Sequence, residues 1–536
     1  MSLPMHRNKS VSSHDFAMVP RADIARSTFR RDFTHKTTFD AGYLIPVFVD
    51  EVLPGDSFSV DMTAFARLAT PIFPVMDNLH LESFFFFVPN RLVWTNWVKF
   101  MGERDSPADS ISYVIPQVVS PAGGYAVNSI FDYFGLPTAG QVGGGNTVST
   151  SVLPLRAYNL ICDEWFRDEN LQNSYAIFPG DGPDAYGAYT LIRRGKRPDY
   201  FTTALPWPQK GGVAVTLPLG STAPVISNNL NPTINGGGGT NRPFYTSGST
   251  GLTTNPAPGS ATNATWGNQT GMVADLSAAT AATINSIRLA FQTQKLLERD
   301  ARGGTRYTEI VRSHFGVISD DARLQRPEYL GGGTTPIIFN PIAQTSATGV
   351  TGGSTPVGTI SGMASAVARN HGFTKSFTEH GHIIGIVSVR ADLTYQQGVE
   401  RFWFRSTRYD FFFPAFSAIG EQAILNREIY CDGSASDTAV FGYNEAWAEY
   451  RYKPSRISGL FRSTSAGTID AWHLAQRFTS LPSLNSTFIQ ETPPVSRVVA
   501  VGASANGQQF IFDSFFRISC ARPLPMYSVP GLIDHF

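Results

Sequence analysis

The chain has 536 residues, and its 42 lysines and arginines balance its 42 aspartates and glutamates, so the formal net charge is zero. Charged residues make up 16% of the sequence and aromatic residues 12%, whereas about 25% charged residues is usual for soluble domains. A surface that is poor in charge and rich in aromatic rings is typical of interface cores, so the composition favours self-association. The alternative is a large hydrophobic core, because a chain of this length buries most of the surface that it exposes when unfolded. The zero net charge excludes neutralisation of a nucleic acid by the whole protein surface.

Cysteine usage and the first residues exclude secreted and membrane-spanning classes. Cys162, Cys431 and Cys520 lie far apart and form no disulfide framework, which fits a reducing cytoplasm. Residues 1–20 contain no apolar segment of the kind that a secretory signal requires. The most apolar local run, Phe84–Val88, is far too short to span a bilayer, so we expect no membrane insertion.

The predicted elements begin with a polar, basic N-terminal arm over residues 1–36. Basic N-terminal arms commonly contact nucleic acids, so we expect this arm to face DNA. The candidate DNA-facing residues are Arg21, Arg26, Arg30, Arg31 and Lys36.

Strand patterns follow the arm and return near the C-terminus. Leu79–Phe87 is apolar on both faces, which predicts a strand buried on two sides. The other predicted strands are Tyr43–Val49, Ser57–Met62, His382–Leu393, Tyr409–Phe413 and Phe510–Cys520. Strands near both ends, separated by long connections, predict a mainly β protein. We expect one discontinuous domain over residues 37–536, an antiparallel eight-stranded jelly roll with long loop insertions that contain a few helices.

Two helices are predicted within these insertions. Leu155, Tyr158, Cys162 and Trp165 recur at helical spacing. On another face of the same helix, Asp163 and Arg167 are spaced to pair at i,i+4. The second helix is predicted from about Ser277 to Asp300 and ends before two glycines.

Residues 220–276 form a Gly-, Ser-, Thr- and Asn-rich segment whose composition is typical of a surface loop without a core. Its four consecutive glycines are not followed by Lys-Ser or Lys-Thr, so a phosphate-binding loop is excluded. Two interpretations remain, a disordered surface loop and a surface loop with a structured tip. Interleaved aromatic residues favour the tip, and the candidate contact residues there are Arg242, Phe244, Tyr245 and Trp266.

Other candidate sites are weaker. His380 and His382 have a spacing that can bind metal if the segment is a strand, but no third ligand follows, so we interpret them as structural. Four acids on one short helix, Asp163, Glu164, Asp168 and Glu169, mostly point apart, which favours a solvated or interfacial face over a catalytic carboxylate pair. We therefore expect neither catalysis nor a bound cofactor.

The densest basic run is Arg193-Arg194-Gly195-Lys196-Arg197. DNA binding and pairing with acids of a neighbouring subunit are about equally good interpretations of this run. The candidate subunit-interface residues are Arg193, Arg194, Lys196, Arg197 and Trp207.

Several aromatic-rich blocks resemble, in order and separation, the major capsid protein of the Microviridae in their gokushovirus branch, which are small icosahedral single-stranded DNA phages. The blocks are Leu155-Arg156-Ala157-Tyr158 with Asp163-Glu164-Trp165-Phe166-Arg167-Asp168, then Asp199-Tyr200-Phe201, Ala204-Leu205-Pro206-Trp207-Pro208-Gln209-Lys210-Gly211, and Arg408-Tyr409-Asp410-Phe411-Phe412-Phe413-Pro414-Ala415-Phe416. The resemblance lapses over residues 220–276, so no family residue is carried over there.

The resemblance implies a jelly-roll shell subunit that forms a T=1 capsid of sixty copies around circular single-stranded DNA. It implies assembly in the bacterial host cytoplasm and residence in the virion. The implied partners are a small basic DNA-binding protein, minor DNA-pilot and scaffolding proteins, and a host surface receptor met by the projecting insertion. The alternative is a secreted β-sandwich that binds or cleaves carbohydrate, which needs an export signal and usually a carboxylate pair; the sequence shows neither.

Overall fold

A computed structural model describes residues 26–211, 284–303, 307–316, 325–345, 357–500 and 508–527, together with short strands between residues 225 and 274. The described chain separates into two compact units, one formed by residues 1–206 and 319–536 and the other by residues 207–318. The segment predicted as an insertion, 220–276, lies inside the second unit. None of the helices in the described ranges has the length and apolar character needed to cross a membrane.

The first unit carries the long strands. They are Ser27–Arg30 (β1), Phe33–Phe39 (β2), Ile45–Val52 (β3), Ser57–Leu68 (β4), Leu79–Pro89 (β5), Gln117–Val119 (β6) and Ser149–Ser151 (β7). In the second unit the strands are Val225–Ser227 (β8), Thr233–Gly236 (β9), Thr240–Pro243 (β10), Tyr245–Ser247 (β11), Gly251–Thr253 (β12), Thr265–Trp266 (β13) and Met272–Ala274 (β14). The first unit resumes with Glu328–Ala343 (β15), Ile360–Ser376 (β16), Gly381–Ala391 (β17), Glu421–Leu425 (β18), Val440–Glu445 (β19) and Phe510–Arg522 (β20).

Helices are short apart from two. The α-helices are Asn90–Val93 (α1), Trp97–Phe100 (α2), Ile130–Tyr133 (α3), Leu153–Trp165 (α4), Ile284–Arg302 (α5), Tyr307–Phe315 (α6), Asn426–Ile429 (α7) and Ser486–Ile489 (α8). The 3-10 helices are Tyr186–Ala188, Arg401–Phe404, Arg408–Asp410, Pro414–Phe416, Ala435–Thr438, Ala448–Tyr450, Gly459–Phe461, Asp470–Trp472 and Val495–Arg497.

The long strands form a curled antiparallel sheet with two layers. One layer has the order β2-β20-β4-β16, and β1 pairs with β20 beyond the end of β2. The other layer has the order β3-β17-β5-β15. Strand β15 belongs to both layers, because Glu328–Ile337 pairs with β5 and Ile338–Ala343 pairs with β16. The mainly β, antiparallel jelly-roll prediction is confirmed.

The core lies between the two layers and is rich in phenylalanine. Along β4, alternate residues such as Val60 and Met62 are buried, as the two-residue period of a strand requires. The ring of Phe516 lies 5.3 Å from that of Phe48 and 6.5 Å from that of Phe85, so a single ring of one layer contacts two strands of the other. Offset and edge-on contacts of this kind stabilise cores beyond their buried area.

The two layers differ on their outer faces. Phe86 and Ile384, on the outer face of the β5–β17 layer, are buried in a second hydrophobic cluster with Trp94 and with Tyr158 of α4. On the β20–β4 layer, by contrast, apolar outward side chains such as Phe65 remain exposed. Among the described residues, the long insertions thus cover the outer face of the β5–β17 layer, while apolar side chains on the outer face of the β20–β4 layer stay exposed.

Most predicted elements are found, with exceptions that have physical causes. The strand predicted at Tyr409–Phe413 is wrong, because residues 408–410 form a 3-10 helix in which Asp410 accepts hydrogen bonds from the backbone of Ser406 and Thr407. Strands β15 and β16 were not predicted. Helix α4 and its Asp163–Arg167 pair, 2.7 Å apart, are confirmed. Residues 277–283 of the second predicted helix lie outside the described residues.

Candidate assembly and DNA-contact surfaces

Residues 402–416, called the aromatic segment below, place a group of large rings on the surface. Trp403 is 66% exposed and Tyr409 is 72% exposed. The exposed rings of the segment are Phe402, Trp403, Tyr409, Phe411, Phe412 and Phe413. Six large exposed rings within one short segment favour an interaction site.

Buried ion pairs hold the aromatic segment in place. Arg401 donates to Glu428 at 3.2 Å and to the carbonyl oxygen of Ala423 at 2.8 Å, and Arg405 donates to Glu449 at 3.1 Å. Burial raises the pKa of Glu428, and the charge of Arg401 opposes that rise. The rings are therefore displayed on an anchored backbone.

The predicted DNA-facing arm residues lie in different environments. Arg31 pairs with Asp50, while Lys36 pairs with Asp513 at 2.5 Å. Arg26 donates to the hydroxyl of Ser57 at 2.6 Å. Arg21 lies outside the described residues. The predicted arm boundary at residue 36 falls inside β2, which pairs with β20, so the described part of the arm is an edge of the sheet.

Arg30 differs from the rest of the arm. It lies on β1 opposite Ser519 of β20, and it is exposed. Within the described ranges, no hydrogen bond or ion pair engages its guanidinium group. Among the arm candidates that the structure describes, Arg30 is thus the one whose charge remains available to a ligand.

The basic run at residues 193–197 finds its acidic partners inside the chain. Glu82, on β5, is buried and pairs with Arg194 and, at 2.5 Å, with Arg390. Burial alone favours the neutral form of Glu82, but these two guanidinium groups hold its pKa below the usual range. Arg197 pairs with Asp392 at 3.0 Å. Sequence reasoning missed Glu82 and Arg390, because both lie more than a hundred residues from the run.

The remaining residues of the run also make contacts within the chain. The guanidinium of Arg193 lies 4.0 Å from the ring centre of Tyr43, and Lys196 donates to Gln476 at 2.9 Å. Burial lowers the pKa of Lys196 to about 8. Trp207 belongs to the second unit and is half-buried. A role for these residues between subunits stays a prediction, and the contacts shown here are structural.

The candidate attachment residues lie in the second unit. Arg242 of β10 and Trp266 of β13 both pair with Ile234 of β9, so the backbone places them in one row across a three-stranded sheet. Tyr245 begins β11 and pairs with Thr253. Phe244 lies outside the described residues.

The histidine and carboxylate candidates are structural. His382 is hydrogen-bonded to Asn90 at 2.8 Å, and burial lowers its pKa to about 4. His380 packs edge-on against Trp97. Asp163 is buried against Arg167, so its placement on a solvated or interfacial face was wrong. In the part of the chain that the structure describes, no three His, Cys, Asp or Glu side chains are grouped so as to hold a metal.

Comparison with known proteins decides the class of this chain. Residues 17–532 match the family model described as capsid protein (F protein). The chain belongs to this phage capsid-protein family. It is 46% identical to the capsid protein VP1 of Bdellovibrio phage phiMH2K over 98% of this chain and 99% of that protein. Identity to VP1 of Chlamydia phage 1 is 44%, covering 98% of both chains, and to VP1 of Spiroplasma virus 4 it is 36%, covering 97% of both.

These matches confirm the resemblance to the gokushovirus branch of the Microviridae. The chain is a structural component of the virion that forms a shell, and it is not an enzyme. The alternative of a secreted carbohydrate-active protein is set aside. For a capsid subunit, the surfaces that matter are those that meet other copies, the genome and the host.

Proposed function

We propose that the chain assembles through its aromatic segment into a T=1 shell of sixty copies around circular single-stranded DNA. The observation that supports this most is the set of six exposed rings on an anchored backbone, in a chain with only 16% charged residues. A buried aromatic side chain covers roughly 150–250 Å². Six half-exposed rings therefore supply several hundred Å², a large share of the ~800 Å² per partner of a stable interface.

The experiment compares the wild-type chain with a Trp403→Ser/Tyr409→Ser variant by sedimentation velocity, with cognate scaffolding proteins present. We expect the wild type to form closed shells or symmetric precursors and the variant to remain a folded small species. Tyr186→Ser is the matched control, because Tyr186 is 47% exposed and lies outside the segment. Formation of normal shells by the double variant would contradict the proposal that the aromatic segment lies in the interface between subunits.

Of the predicted arm candidates Arg21, Arg26, Arg30, Arg31 and Lys36, we propose Arg30 as the genome contact within the described residues. Arg31 and Lys36 already pair with carboxylates and Arg26 donates to Ser57, while Arg21 stays a candidate. The zero net charge leaves most phosphate charge to be balanced by small cations and a small basic DNA-binding partner. Minor DNA-pilot and scaffolding proteins complete the proposed assembly in the host cytoplasm. Replacing Arg30 with Ala is expected to reduce packaged DNA while empty shells still form.

The insertion at residues 220–276 is proposed to project from the shell and contribute to host attachment through Arg242, Phe244, Tyr245 and Trp266. Support comes from its Gly-, Thr- and Asn-rich composition, which suits an outward loop and not a tightly packed one. Replacement by a short Gly-Ser linker is expected to preserve assembly and to reduce adsorption to host cells. Full infectivity of that variant would make the segment dispensable, and failed assembly would make it a subunit contact.

A further inference from the structure

The side of the β20–β4 layer that points away from the hydrophobic core is called the outer sheet face below. The word outer refers to the core between the two layers and not to the outside of the shell. This face has an unusual composition. Alternate residues of β4 and β20 point away from the core, and the outward positions include a repeated Phe-x-Arg pattern. The residues that define the face are Phe65 and Arg67 on β4, Phe515 and Arg517 on β20, Arg30 on β1 and Arg369 on β16.

The two outward phenylalanines lie close together. Phe65 pairs with Asp513, whereas Phe515 pairs with Thr63, so the two rings occupy diagonal positions on adjacent strands. Diagonal neighbours on one face of an antiparallel pair are about 7–8 Å apart. Phe65 is 45% exposed and Phe515 39% exposed. An open sheet that displays neighbouring aromatic rings is the surface on which single-stranded bases stack in RNA-recognition modules.

The face is also positively charged within a chain of zero net charge. Arg67, Arg369 and Arg517 are exposed, and within the described ranges their guanidinium groups, like that of Arg30, make no hydrogen bond or ion pair. The carboxylates on the outward positions of β4 and β20 are Asp61 and Asp513, and Asp513 is already paired with Lys36. Arginines without an ion-pair partner in the described structure can contact the phosphates of a nucleic acid, and the exposed rings beside them can stack on its bases.

We propose that the outer sheet face binds single-stranded DNA, with Phe65 and Phe515 stacking on bases and Arg67, Arg369 and Arg517 contacting phosphates. The proposal rests on the function proposed above and names a genome-binding surface that extends from Arg30 of the N-terminal arm onto β4, β16 and β20. Charge favours this occupant over a second copy that presents the same face, because two arginine-rich faces repel each other. Contact with a different surface of another copy is an outcome that the test below distinguishes. The other layer cannot serve in the same way, since its outer face is buried under the insertions.

The test measures binding of the unassembled full-length chain to a short fluorescent oligodeoxythymidine and to an abasic oligonucleotide of equal length. We expect Phe65→Leu/Phe515→Leu to weaken binding of the thymidine oligomer by about tenfold or more and to leave the abasic oligomer unaffected, because stacking needs bases. Leucine keeps the apolar character of each site, so the variant should fold.

The arginines give a second, independent signature. Arg67→Ala/Arg517→Ala is expected to weaken binding of both oligomers and to reduce the slope of log affinity against log salt concentration by about 0.7 for each phosphate that the protein no longer neutralises. The matched control is Phe178→Leu/Arg104→Ala, which removes an exposed ring and an exposed arginine elsewhere on the first unit.

Wild-type affinity for the thymidine oligomer in both double variants would overturn the inference. Sedimentation of the same variants reports whether shells assemble. It therefore distinguishes a failure of the proposed DNA surface from a failure of the proposed shell assembly. Normal shells with unchanged DNA affinity would leave shell assembly intact and refute only the DNA surface. Loss of shells with unchanged DNA affinity would assign the face to contacts between copies, which also refutes the proposal.

Discussion

Arg31 donates to both carboxylate oxygens of Asp50, at 2.6 Å and 3.1 Å. Arg31 lies between β1 and β2 at the edge of one layer, and Asp50 lies on β3 at the edge of the other. The imidazole of His35 reaches the carbonyl oxygen of Val47 at 3.1 Å across the same gap. In the described structure β2 and β3 are edge strands of the two layers and share no backbone hydrogen bonds. These side-chain hydrogen bonds therefore connect the two layers at this edge.

Arg31 is therefore expected to contribute to stability and not to DNA affinity. Arg31→Ala should lower the free energy of unfolding by up to ~1 kcal/mol, since the pair is partly exposed. Arg30→Ala should leave stability unchanged and weaken binding of single-stranded DNA. Chemical denaturation measures the stability of both variants, and oligonucleotide titration measures their DNA affinity. Weaker DNA binding by Arg31→Ala with unchanged stability would contradict this and show that Arg31 contacts DNA.

The buried pair between Arg156 and Asp184 gives a larger effect. Arg156 of α4 donates to Asp184 at 2.7 Å and 2.8 Å, and to the carbonyl oxygens of Val93 and Gly180. Arg156→Ala leaves the buried carboxylate of Asp184 without its charged partner and with only the hydroxyl of Tyr189 as a side-chain donor, so we expect a loss of ~3–5 kcal/mol in the free energy of unfolding. Urea denaturation measures the loss, and Arg104→Ala, at an exposed arginine, should change stability little.

Gly332 permits close packing of β15 on β5. A Cβ atom at this position would lie 2.0 Å from the carbonyl oxygen of Ser83, so the backbones must separate. Gly332→Ala is expected to cost at least ~1–3 kcal/mol of stability through overpacking. Gly187→Ala is the control, because a Cβ there meets no atom within 4 Å. Equal melting temperatures for the two variants would contradict the close approach.

Glu491 makes stability depend on pH. Burial raises its pKa to about 7, and one of its carboxylate oxygens has no hydrogen-bond partner. Between the ordinary pKa of about 4.5 and pH 7 the folded chain holds a proton that the unfolded chain has released, so stability falls as pH rises. The slope should approach ~1.4 kcal/mol per pH unit. Glu491→Gln should remove this dependence in denaturation curves recorded from pH 5 to 7.

The strands with strong alternation or continuous apolar character could be predicted, as β5 and β20 show. Strands β15 and β16 could not, because Gly331-Gly332-Gly333 and the small residues of β16 have low strand propensity. Tertiary packing selects them, since only glycine allows the approach to Ser83. The local sequence pattern therefore does not predict strands such as β15 and β16, whose formation depends on close packing against neighbouring strands.

The candidate surfaces were predicted only in part. The aromatic block at residues 408–416 was recognised in the sequence, but its predicted strand was wrong. Its consecutive rings do not alternate with polar residues as a half-buried strand requires. Thr407 and Asp410, which cap the 3-10 helix, were the sequence signal for a turn. The repeated Phe-x-Arg pattern on β4 and β20 was present in the sequence and was missed. Its meaning depends on strand pairing, which places Phe65 and Phe515 on one face only in the folded chain.

A cryo-electron microscopy reconstruction of assembled, DNA-filled particles shows directly which surfaces of the subunit meet other copies and which meet the genome. We expect a closed shell of sixty subunits in which the aromatic segment is buried between neighbouring copies and the outer sheet face is turned toward the genome. A shell with the aromatic segment on its free surface, or with the outer sheet face turned away from the DNA, would contradict it.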